Sequence, residues 1–388
     1  MRTRNRGRLI PAAALLAAGI GCSSGTGTMS IHLVDGPGGF REVNLQVLQV
    51  DIHSDSAGWV TLGNPDAAQQ PVNLLALQGG VVATLLSGVT LPAGHYSQLR
   101  LLLGAGNTVK LEDGTVHELE VPSGLQTGLK VVCNTRLPSG GATDLFIDFE
   151  AHKSVFVHLA GATGRYILRP VVRCQEGRGA GFIAGTLTAP DPGSESSGPL
   201  GGAAVTAQVL DAAGNATIVR TALSAADGTY RLDLLPLEQT YHVVAQPVVD
   251  GVVYEAKASG PLALTAALPS ATWDAFFSPA AGIGGVLGTI TPTATVNDAD
   301  EVVARRELDA GGTPRTFIVR TAMGAVAGGV ESYAMPDLEV LAGQPFTSYW
   351  LSVRRRTLAG GVETVTTGAA QPADLAGGAT ATVDLTVP

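Results

Sequence analysis

Apolar and polar residues alternate with a period of two through much of the chain. The runs VNLQVLQVDIH (43–53), GWVTL (58–62), SQLRLLLG (97–104), TVHELEV (115–121), LKVVC (129–133), DLFIDFE (144–150), SVFVHLA (154–160) and YILRPVVR (166–173) are short, rich in Val, Leu and Ile, and bounded by Gly, Pro, Asn or Asp. That is the pattern of paired strands burying one face, and it predicts a β-sandwich whose first strand starts at Met29–Val34. The exception is VNLLALQGGVVATLLS (72–87), whose apolar spacing fits either a short helix or a loop over a sandwich edge; Gly79–Gly80 argues against one continuous helix.

The pattern then repeats. Gly181–Thr188 (GFIAGTLT) is echoed by GIGGVLGTIT at 282–291, TIVRTA (217–222) by FIVRTA (317–322), Tyr241–Val244 by Tyr349–Ser352, and ATWDAFFS (271–278) by ATVDLTVP (381–388). Self-similarity at about one hundred residues means tandem domains, since solenoid periods are about 20–50. The expected organisation is all-β: three tandem β-sandwiches, immunoglobulin-like or transthyretin-like, over residues 29–177, 181–279 and 282–388.

Before the first sandwich, Arg2, Arg4, Arg6 and Arg8 precede an apolar stretch from Leu9 to Ile20. It is too short to span a bilayer, which takes about 20 residues, and has the shape of a cleaved export signal. Gly19–Ile20–Gly21–Cys22 resembles the lipobox of bacterial lipoproteins, with Gly19 where leucine is usual. The resemblance implies a signal peptide at 1–21, a palmitate-type acyl anchor on Cys22, and a tether at 22–28. Two or more acyl chains anchor stably, at about 0.8 kcal/mol per buried methylene. Ser23 in place of Asp implies the outer membrane, by the same resemblance.

Composition fits an exported β-protein: 50 glycines, 22 prolines and 15% charged residues support turns more than helices. Without the four signal arginines, 20 basic residues face 33 acidic ones, a net charge of −13 that argues against nucleic acid as a partner. Cys133 and Cys174 form either one disulfide or two buried thiols.

The first unit resembles a family of bacterial surface lipoprotein domains of unknown function. The residues carrying the likeness are Leu33–Pro37, Val47–Ile52, Trp59, Val72–Leu75, Leu91–Arg100, Val121–Gly124, Asp148–Glu150 with Ser154, and Leu168–Pro170. Glu150 stands where aspartate is frequent, and the two cysteines lie outside the pattern. The likeness implies a tethered β-domain with no assigned reaction. The second unit resembles the carboxypeptidase regulatory-like, transthyretin-like sandwiches through Gly185–Thr186, Ala204–Ala207, Asp227–Leu232 and Leu235–Pro236 through Val244. Similar folds are classed with carbohydrate-binding modules, although fold alone does not fix function. Glu238–Gln239–Thr240 replaces the family's usual glycine before Tyr241, and GGVESY (328–333) replaces the DGTY turn in the third unit.

Candidate chemistry is sparse. The chain carries no GxSxG, HExxH, P-loop or dinucleotide glycine motif. In the strand after Pro92–Ala93–Gly94, Tyr96, Gln98 and Arg100 are expected on one face, with Arg100 pairing Asp35 or Asp148 to fix strand register. His152 and His158 share parity, and His32 lies near Asp35, too few ligands for a metal site. Asp298–Glu301 and Asp211–Asn215 read as solvated loops more than calcium sites. Trp273 and Trp350 are the candidate glycan contacts. The reading is a non-enzymatic, lipid-anchored envelope scaffold, stalk or adhesion module without cofactor or metal, meeting the membrane through Cys22 and an envelope protein or polysaccharide through its loops. The alternatives are a carbohydrate-binding accessory protein and, further off, an uncharacterised hydrolase.

Overall fold

The computed structural model describes residues 25–35, 40–77, 81–111, 113–121, 128–149, 154–159, 165–168, 170–177, 180–191, 196–295, 298–340, 349–359, 362–375 and 378–388, with the side chains of 156–159, 299, 358, 359, 362 and 363 excepted. The fold is all-β. Residues 1–21, expected to form a signal peptide, lie outside the described residues, as do Cys22, Glu150, His152 and the side chain of His158.

Two four-stranded sheets face each other in the first segment. One runs Val172–Glu176, Ala142–Phe149, Thr26–Asp35, Ala83–Pro92, and the other Leu129–Leu137, Gly94–Leu103, Val47–Ser54, Gly58–Gly63. Period-two patterning supplies the core between them: Met29, Ile31 and Leu33 from one strand, Leu145, Ile147 and Phe149 from its parallel neighbour, and Val50, Ile52, Leu99 and Leu101 from the facing sheet. The first strand starts at Thr26, earlier than the expected Met29; Thr26–Thr28 pair with Thr90–Pro92 and so belong to the sandwich, not to a tether. Within 72–87 the chain makes a short strand Val72–Asn73, a 3₁₀ turn Leu74–Ala76 capped by the Asn73 side chain, and the strand from Ala83, so no single helix forms.

Strand Gly94–Leu103 departs from simple alternation. Tyr96 pairs with Ser54 and Thr135 while Gln98 pairs with His53 and Val132, so a bulge at Ser97 shifts the phase. Tyr96 therefore points into the core with Leu99 and Leu101, not outward with Gln98 and Arg100, and its hydroxyl donates to the Pro92 carbonyl at 2.7 Å.

The second and third segments show the repeat in atomic detail. Strand Ala180–Pro190 pairs antiparallel with Thr229–Pro236 and parallel with Ser270–Thr272 and Ala275–Phe276; strand Ile283–Thr291 does the same with Val330–Glu339, Thr380–Thr382 and Leu385–Thr386. Gly185 and Gly288 hold matching positions because the Trp273 and Val383 carbonyls come too close to admit a β-carbon. Those carbonyls accept from the Tyr230 and Tyr333 hydroxyls, each at 2.7 Å, and the Asp274 and Asp384 carboxylates accept the Thr186 and Thr289 N–H groups, each at 2.8 Å. Glu238 takes the positive φ (58°) that a glycine would otherwise supply before Tyr241. In the third segment, Gly328 and Gly329, both at positive φ, turn the hairpin between Ala325–Ala327 and Val330–Glu339.

The segments are not strung in a line. A mixed cluster of Ala216 and Val244 with Val303, Phe317 and Ile318 joins the second to the third. The first segment reaches the third as well, because Val155–Leu159 pairs in parallel with Ala325–Ala327.

Candidate functional site: joints between the β segments

Most of the residues singled out by the sequence are dispersed. Arg100 pairs with neither Asp35 nor Asp148. Its Nε donates to Asp51 at 2.8 Å, since Asp51 stands opposite it in the register with Val47–Ser54, and the Trp59 ring lies 4.5 Å from its guanidinium carbon. Asp148 instead belongs to the other sheet and meets Arg220 of the second segment at 2.6 Å, both side chains buried. Cys133 and Cys174 are joined in a disulfide that links the edge strands Leu129–Leu137 and Val172–Glu176 of the facing sheets.

Asp298–Glu301 is not a solvated loop: these residues open strand Asp298–Asp309, and Asp298, Asp300 and Glu301 are buried. Asp211 and Asn215 do form an exposed turn, its backbone N–H groups at Ala213 and Asn215 held by the Asp211 carboxylate. His32 stacks on Phe146 and bonds to Thr84, and no group of three or more metal-ligating side chains occurs among the described residues. Trp273 is half-buried, edge-on to Phe277; Trp350 is 47% exposed on a different sheet, paired with Arg305 and Pro372. The two tryptophans thus belong to separate surfaces. No helix among the described residues is long and apolar enough to cross a membrane.

What the structure does bring together are residues at the segment joints. Beside the Asp148–Arg220 pair, Arg173 donates to the Val219 carbonyl at 3.0 Å. Between the second and third segments, the fully buried Gln208 side chain donates to the Ile318 carbonyl at 2.6 Å and accepts the Ile318 N–H at 3.0 Å. This two-way contact replaces a strand ladder and fixes register across the joint. Glu339 accepts from Ala256 N–H at 2.7 Å while pairing with buried Arg306. The partners across the joints lie 46 to 110 residues apart in sequence, so spacing could not reveal them. The available signal was an arginine recurring at the same place in two copies of one strand, TIVRTA and FIVRTA, at Arg220 and Arg320.

A buried ionic cluster lies within the third segment. Asp300, wholly buried, takes a two-pronged contact from Arg355 at 2.8 and 2.6 Å, and Arg355 also donates to the Pro292 carbonyl at 2.6 Å. Glu331 accepts Ala294 N–H at 2.7 Å and sits 3.5 Å from the same guanidinium. One guanidinium serves two carboxylates, and burial followed by the Asp300 charge pushes the Glu331 pKa up to about 7. The sign follows from its usual value of 4.5: protonated Glu331 stabilises the fold fully below pH 4.5, and that contribution is lost as pH rises through about 7. Glu331→Gln is therefore expected to match the parent near pH 5 and to be more stable at pH 8, by on the order of 2–3 kcal/mol. Urea denaturation at both pH values checks this; equal stability at pH 8 would mean that Glu331 ionises without penalty.

Residues 26–170, less than half of the chain, match a family described as a domain of unknown function (DUF4382). No curated protein matches the chain. Solved structures that resemble it include a streptococcal ancillary pilin (11% identity, 93% of this chain and 99% of that one, TM-score 0.22) and the fimbrial anchor protein Mfa2 from Porphyromonas gingivalis (10%, 48% and 81%, TM-score 0.20). A third is the Bacillus anthracis TIE protein (12% identity, 94% of this chain, TM-score 0.20), of whose length this chain spans about half, 51%.

Proposed function

We propose that this chain is a non-enzymatic protein of the bacterial envelope, held at the outer membrane by an acylated Cys22 and acting by contact through a rigid β body. The observation that supports the contact role is the construction of the joints: Asp148–Arg220 and Gln208–Ile318 place buried, directional contacts between segments. Flexible tandem modules need no such locks, because a linker alone joins them. A body that presents several loops to a partner at fixed spacing does need them. This packing favours a compact scaffold over an extended stalk, since the first segment touches both others.

The anchor reading rests on the basic, apolar and Cys22-terminated start of the sequence. Metabolic labelling with palmitate in a lipoprotein-processing host tests it. The parent chain should take up label and sediment with membranes, whereas Cys22→Ala should do neither. A parent chain that is unlabelled and freely soluble would remove the anchor from the proposal.

A further inference from the structure

Very little chain separates Cys22 from the first sandwich. The Gly25 carbonyl accepts the Ala93 N–H at 2.6 Å, and the Thr26 carbonyl accepts the Gly140 N–H at 2.8 Å. A β-carbon at Gly25 would collide with the Ser139 side chain. The backbone is therefore built into the fold from Gly25 onward. Only Ser23 and Ser24 stand between Gly25 and Cys22, and a stretch of this length, fully extended, reaches about 10 Å. With acyl chains on Cys22 embedded in a bilayer, Gly25 stays within that distance of the anchor.

Three turns share the Gly25 end of the sandwich. Pro92–Gly94 joins strands Ala83–Pro92 and Gly94–Leu103, and 138–141 joins Leu129–Leu137 to Ala142–Phe149. The third, Ser54–Gly58, lies beside the first, because the Asp55 N–H donates to the His95 carbonyl at 3.3 Å. Their residues are small or polar, and none of the exposed large apolar side chains falls among them. Such a surface gains nothing from hydrocarbon and suits a headgroup layer. Charge does not oppose that placement, although the chain as a whole is acidic. The one carboxylate of the turns, Asp55, is paired with His95 at 2.7 Å, and the neighbouring Arg136 is exposed.

The joint to the second segment lies towards the other end. Ala142 pairs with Thr28 near the turns, whereas Asp148, further along the same strand, meets Arg220 at 2.6 Å. The intervening strand spans about 20 Å. The second segment thus joins the first on the side away from the anchor.

We propose that the short tether seats this end of the first sandwich, the turns 54–58, 92–94 and 138–141, directly against a layer of phospholipid headgroups. The sandwich then stands on the membrane, and the other segments are carried above it at a fixed height. The inference rests on the acylation of Cys22 proposed above and adds to it a contact surface and an orientation.

Fluorophores attached to Ala57→Cys and, separately, Ala105→Cys in the full acylated chain test the contact. Ala57 is exposed in one of the three turns, and Ala105 is exposed just past the far end of strand Gly94–Leu103. Each substitution supplies the sole free thiol, since Cys133 and Cys174 are bonded and the Cys22 thiol carries lipid. In phosphatidylcholine vesicles that bear a spin label on the headgroup, fluorescence should be quenched at position 57 and unaffected at position 105. Inserting about twenty Gly and Ser residues between Ser24 and Gly25, a coil of about 25 Å, should abolish the quenching while the chain still sediments with the vesicles. Failure to take up palmitate would remove the anchor and the contact with it. An acylated, vesicle-bound chain with equal quenching at both positions, or with quenching at position 57 that survives the insertion, overturns the seated end and leaves the anchor standing.

Discussion

Asp300→Ala is expected to cost the fold about 3–5 kcal/mol near pH 5, the range for removing one partner of a buried ion pair. Asp300 is wholly buried and takes two donors from Arg355, whose own exposure is small. Without it, the guanidinium keeps the Pro292 carbonyl and the more distant Glu331. Near pH 5 Glu331 is neutral and offers no compensating charge. The loss should shrink by pH 8, because removing the Asp300 charge removes one of the causes that hold the Glu331 pKa up, so that Glu331 ionises and pairs with Arg355. Urea denaturation of parent and variant at the two pH values reads both the size and the direction. A cost that is equal at both, or larger at pH 8, would mean that the two carboxylates do not share Arg355 in this way.

The same cluster shows where the sequence was readable and where it was not. The strands of the first sandwich were legible because burying one face imposes period two, and the repeat was legible because paired copies keep their glycines, tyrosines and aspartates for steric and hydrogen-bonding reasons. Gly185 with Gly288 and Tyr230 with Tyr333 are examples. Asp298–Glu301 read as a loop because three acidic residues in four look solvated, and nothing local reveals that Arg355, on a strand that comes next to them only in the fold, neutralises Asp300. Alternation places Tyr96 on the face of Gln98 and Arg100, and the structure places it on the other, because a bulge inserts a residue without changing the composition of the strand. The partner of Arg100 is hidden for a related reason: pairing register decides which carboxylate lies opposite, and Asp51, Asp35 and Asp148 look alike in sequence. The joints were least legible of all. Gln208 and Ile318 are 110 residues apart, and a buried glutamine in a strand carries no mark of the backbone that it will grip.

Removing the Cys133–Cys174 disulfide should cost about 4 kcal/mol in the chain-entropy model, for a separation of 41 residues. The position of the bond makes this a test of the sandwich as a whole. Both cysteines lie on edge strands, one in each sheet, and the Thr135 hydroxyl bonds across the same side to Glu176. Without the covalent link, the sheets of the first segment are held together on that side by packing and by this contact, so that Val172–Glu176 is expected to separate first. Denaturation of Cys133→Ala/Cys174→Ala should show a lower midpoint for the first segment. Reduction of the parent chain should lower it similarly, whereas reduction of the double variant should change nothing. Hydrogen exchange resolves the location: protection should fall first in Val172–Glu176 and in the half of Ala142–Phe149 that pairs with it, while the Arg355–Asp300 region of the third segment keeps its protection. Equal midpoints for the reduced and oxidised parent would mean that packing alone holds the two sheets, and the exchange pattern would then be the same with and without the bond.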